Sequence, residues 1–70
     1  MSSSRFYAAA HQASIVTGVP IAGRMRHPEG EPRTMYSFIN SETSEEYVLE
    51  KTQAAAIRAL AIKIEKGEIK

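Results

Sequence analysis

TSEEYVLEKTQAAAIRALAIKIEKG (residues 43–67) decides the fold, because it contains one helix whose start must be fixed before anything else can be placed. Two N-terminal signals compete. Thr43-Ser44-Glu45-Glu46 has the spacing of a capping box, and Thr52 offers a hydroxyl to the free N–H groups of a helix beginning at Gln53. A helix begun at Ser44 puts Glu46 and Glu50 on the stripe that also carries Ile57 and Ile64. Burying unpaired carboxylates costs several kcal/mol. The later start avoids that cost, so the sequence predicts an amphipathic helix over residues 53–66. Its alanines are strong helix formers, and Ile57, Leu60, Ala61 and Ile64 recur at the spacing of one face. Lys63 and Lys66 suit the negative end of the helix dipole. Gly67 suits the left-handed stop.

Once the helix begins at Gln53, Glu45 to Glu50 is free to be a strand. Its alternation puts Tyr47 and Leu49 on one side and Glu46, Val48 and Glu50 on the other. Upstream, Met35 to Ile39 is rich in β-formers, and Asn40 to Ser44 is a cluster of turn residues. The two segments read as a hairpin, with Tyr36 and Phe38 facing inward beside Tyr47 and Leu49. Ile21 to His27 is a further strand, with Ile21, Gly23 and Met25 alternating against Ala22, Arg24 and Arg26. His27 to Pro32 breaks the chain, with Pro28 at the second and Gly30 at the fourth position of a type I turn. Arg5 to Val16 reads as a helix capped by Ser4 and stopped at Gly18-Val19-Pro20, with Phe6, Ala9, Ala10, Ala13 and Val16 on one face. A strand through Ser14 to Thr17 is the alternative. Residues 1–4 are expected to be disordered. The whole is a single α+β domain over residues 1–70: a three-stranded antiparallel meander packed on a C-terminal amphipathic helix, with a short N-terminal helix.

Composition narrows function by exclusion. Seventy residues bury only about 60% of their unfolded surface, so a second chain is a natural source of extra stability. The chain has no cysteine, which removes disulfides, thiol catalysis and cysteine-bound zinc. No apolar run approaches the roughly 20 residues of a membrane span, and the N-terminus lacks the apolar core of a secretory signal. A cytoplasmic location is expected. Nine basic residues face eight acidic ones, for a net charge of +1. That balance is weaker than a dedicated nucleic-acid binder usually carries.

No catalytic constellation is expected. His27 shares a short turn with Glu29 and Glu31, and His11 falls on an exposed helix face. Thr17 to Gly23 lacks the Gly-Lys-Ser/Thr of a phosphate loop. The carboxylates Glu42, Glu45, Glu46 and Glu50 have no cleft in which to hold a sugar. Neither a metal nor a cofactor is expected, and the chain does not read as an enzyme.

The arginines carry more. In the meander Arg24, Arg26, Arg33, Met35, Ile39 and Val48 share the outer face with Ser37, Glu46 and Glu50. A purely solvated face has no need of Met35, Ile39 and Val48. Three occupants compete for it: the N-terminal helix, a second copy, or a foreign partner. Ile62 stands on the far side of the C-terminal helix among Ala55, Ala59, Arg58 and Lys66, a second place for contact. The leading expectation is a non-catalytic protein-interaction module, a small inhibitor or regulator that occupies a partner's surface. Accessory proteins of phages and mobile elements have this general profile. The alternative is a small nucleic-acid-binding domain that uses Arg24, Arg26 and Arg33. The layout over about residues 21–66 resembles arm-binding domains of tyrosine recombinases and AP2-type domains, and double-stranded-RNA-binding domains share part of it. That resemblance implies a basic sheet face, which the three arginines match and Glu46 and Glu50 oppose. A homo-oligomer is the remaining partner expectation.

Overall fold

The computed structural model describes residues 4–69, in the order α1 (Ser4–Thr17), β1 (Ile21–Arg26), β2 (Met35–Asn40), β3 (Glu46–Glu50) and α2 (Gln53–Glu65). The strands form one antiparallel sheet in the order β1-β2-β3. This is the α+β architecture expected, and the N-terminal segment is helix rather than strand. Ser4, expected to fray, is the first residue of α1. The rest of the expected disorder falls on residues outside those described.

α2 begins where the carboxylate argument put it. Thr52 is extended at φ −134°, and its Oγ1 accepts the Ala55 N–H at 3.1 Å. At the other end Glu68 N–H reaches the Lys63 carbonyl at 2.9 Å and Gly67 N–H the Ile64 carbonyl at 3.0 Å, a Schellman closure. Gly67 supplies the required left-handed backbone at φ +72°. The chain then folds Ile69 back into the core.

Turn chemistry explains both hairpins. Asn40 Oδ1 accepts from the N–H groups of Glu42 and Thr43, and the Asn40 carbonyl accepts from Ser44. Between β1 and β2 the Glu31 N–H donates to the Pro28 carbonyl at 3.0 Å. Pro28 is therefore the first residue of that turn and Gly30, at φ +87°, the third. The turn thus lies one residue later than proline's preference for the second position predicts, because glycine supplies the positive φ at the third.

Both helices stand on the same face of the sheet. Phe6 of α1 lies 4.6 Å from the Phe38 ring and 5.6 Å, edge-on, from Tyr36. Ala10, Ala13, Ala56 and Leu60 join Phe38, Val48 and Ile21 in the same core. The Ser14 hydroxyl ties α1 to the start of β1, accepting the Ile21 N–H at 2.9 Å. The first of the three claimants to the opposite face is thereby removed: α1 does not cover it.

The main departure is in β3. Phe38 pairs with Val48, but Ile39, one residue on, pairs with Glu46, so Tyr47 is an extra residue and β3 carries a bulge. Side chains alternate faces at each residue of a regular strand, so a bulge exchanges them. Glu46 stays on the outer face opposite Ile39. Val48 turns inward against Phe38 and is 4% exposed. Leu49 pairs with Ser37 and points outward, while Glu50 pairs with Tyr36 on the helix side. Unbroken alternation had put Val48 and Glu50 outside and Leu49 inside. The correction comes from one unpaired residue.

Candidate functional site

Register assembles the outer face pair by pair: Ala22 beside Ile39 and Glu46, Arg24 beside Ser37 and Leu49, Arg26 beside Met35. Two arginines from β1 and one carboxylate from β3 flank the central strand. The Arg26 guanidinium is 3.1 Å from Glu46 Oε2, and the Arg24 guanidinium is 3.8 Å from the same oxygen. To meet there, the side chains must cross β2. That crossing explains why Met35, Ser37 and Ile39 are buried although no helix lies above them. Ser37 Oγ donates to the Arg24 carbonyl at 3.3 Å. Arg24 Nε is shut off from solvent with no hydrogen-bond partner.

The outer face is thus an ion-bridged lid over an apolar floor. Arg24, Arg26, Met35 and Ile39 lie together on it as expected. Arg33 does not belong to a strand: it is exposed in the loop before β2. Val48 is core. Leu49, 38% exposed and outward-facing, takes the open apolar position that the alternating pattern assigned to Val48. Only the backbone pairing, not the composition of β3, reveals that exchange.

A second feature lies on the opposite side of the molecule. The fully buried residues of α2 are Ala56 and Leu60, and the expected Ile57 and Ile64 pack half-buried against the same core. Ile57, Ala61 and Ile64 also border a groove between the helices, faced by Ala9, Ala13 and Val16 of α1. The groove has a volume of about 280 Å³, and its polar lining comes from Gln12 and Glu65. Val16 is 62% exposed. An alanine-rich helix is apolar nearly all round, so its wheel does not fix which stripe meets the sheet. α1, packed beside α2, leaves Ile57 and Ile64 half-buried, packed on the edge of the core and lining the groove at once. Ile62 is exposed, as expected, on the solvent side of α2.

Among the described residues no group of three or more histidine, aspartate or glutamate side chains could hold a metal ion. No described helix is long and apolar enough to cross a membrane. No protein-family model, characterised protein or solved structure matches the chain. The layout resemblance to nucleic-acid-reading domains therefore stands on element order alone.

Proposed function

We propose that the protein is a non-catalytic interaction module that regulates another protein by occupying its surface, and that it does so with the outer sheet face. The observation that carries this reading is the position of Glu46. Its single carboxylate lies 3.8 and 3.1 Å from Arg24 and Arg26 and offsets one of their two charges, so these three groups offer phosphate only one net positive charge, and that charge is engaged in ion pairs. Nucleic-acid affinity depends on free cations that displace counterions. Arginine and methionine are instead the residue types enriched at protein–protein contacts, where planar guanidinium groups and flexible apolar chains meet varied partners. Arg24 and Arg26 would bind partner carboxylates or carbonyls. Leu49 would supply the exposed apolar contact, with Met35 and Ile39 as the firm surface beneath.

The test is affinity purification of the tagged full chain from its native host, with bound protein and nucleic acid identified together. It is run beside an Arg26→Glu/Leu49→Lys variant whose melting temperature is checked first. The reading expects one protein recovered in stoichiometric amount and lost in the variant. Recovery of nucleic acid in place of protein, or a protein retained equally by the variant, overturns it.

A further inference from the structure

The helix layer carries a charge pattern that specifies its own complement. Arg58 and Glu65 are both exposed on α2 and stand seven residues apart, roughly 10 Å along the axis and nearly in line. They are too far apart to pair with each other, and neither has an ion-pair partner among the described residues. Between them lies Ala61, exposed and small, with Ile62 beside it. The line runs along the lip of the apolar groove, to which Glu65 itself contributes.

We propose that this face is a homodimer surface, in which α2 of a second copy lies antiparallel along the groove's lip. A two-fold axis between Ala61 and Ile62 places Arg58 of each copy beside Glu65 of the other, so the pair is made twice. The alanine lets the helices approach closely, and the exposed Ile62 of each copy is covered in the same step. No foreign partner is needed to account for the pattern, because the sequence of one α2 already contains both halves of the match. A chain of this size also has reason to add an interface, since its own core is small. α2 is about 20 Å long, so the contact sits at the small end of stable interfaces, and association in the micromolar range is expected. The surface lies across the molecule from the outer sheet face. Dimers would therefore present two sheet faces outward, and failure of either proposal leaves the other standing.

The experiment is sedimentation equilibrium of the full chain from low to several hundred micromolar. The wild type is expected to move reversibly from monomer to dimer. Arg58→Glu and Glu65→Arg should each weaken the dimer by about tenfold or more, because each places like charges together at both ends of the contact. The combined Arg58→Glu/Glu65→Arg exchange should restore the dimer to within a few-fold of wild type, since it rebuilds both pairs in reverse. All these positions are exposed on the helix, so circular dichroism should show the fold unchanged. Ala61→Glu should abolish association without altering the monomer. A chain that stays monomeric throughout, leaving the groove to a foreign helix, overturns the proposal. So does a dimer indifferent to these substitutions, or a combined exchange that fails to rescue.

Discussion

Gly23→Ala is the sharpest probe of how α1 sits on the sheet. A methyl group at Gly23 would lie 2.7 Å from Phe6 Cε2, 3.1 Å from Cδ2 and 3.3 Å from Cζ. The ring cannot swing away, because Phe6 is fully buried and held between Phe38 and Tyr36. Relief requires α1 to lift or β1 to bend. Overpacking of this kind costs about 1–3 kcal/mol. At about 4–8 °C per kcal/mol for a domain of this size, the expected loss in melting temperature is roughly 4–24 °C. The assay is urea unfolding followed by circular dichroism, with thermal melts alongside. Phe6→Leu serves as partner in a double-mutant cycle. Phe6→Leu alone should destabilise by leaving a cavity, yet the double variant should lose less than the sum, since the smaller side chain makes room for the methyl. If Gly23→Ala matches wild type, or if the two losses simply add, Phe6 does not press on Gly23 and the placement of α1 is wrong.

Three further outcomes follow from named contacts. Val48→Lys should unfold the protein at room temperature whereas Leu49→Lys should change stability by less than about 1 kcal/mol, as the bulge puts the first in the core and the second in solvent; denaturant melts with equal losses would refute the bulge. Ser14→Ala should cost about 1–3 kcal/mol, because it strips the acceptor from the Ile21 N–H, and hydrogen exchange at that amide should accelerate in step. Thr52→Ala should cost about 1 kcal/mol through loss of the bond to Ala55 N–H, with the fraying confined to the first turn of α2 by amide exchange.

Much of this architecture is legible in residues whose chemistry allows one answer. Glu46 and Glu50 forbid a long C-terminal helix, Thr52 marks the true start, and the alternation of Met35 to Ile39 gives a strand. What was not legible depends on pairing between segments. The face assigned to Val48 rests on an unpaired Tyr47, and nothing local to β3 distinguishes a bulge from continuous alternation. The orientation of α2 has the same cause at another scale, since its wheel offers several apolar stripes and only the position of α1 selects among them. The outer face is half legible: Arg24, Arg26, Met35 and Ile39 come together by parity alone, but the convergence of both arginines on Glu46 requires the three-strand register.

The extra residue at Tyr47 also limits the errors this sheet can make. In an evenly alternating strand, a slip of two residues keeps every side chain on its proper face, so several alignments compete during assembly. In β3 the alternation changes phase at Tyr47, so a slip of two is no longer neutral. Only one alignment hides Val48 behind Phe38 while leaving Glu46 within reach of both arginines, and sliding in either direction forfeits one or the other. The irregularity therefore narrows the ways in which a five-residue strand can dock.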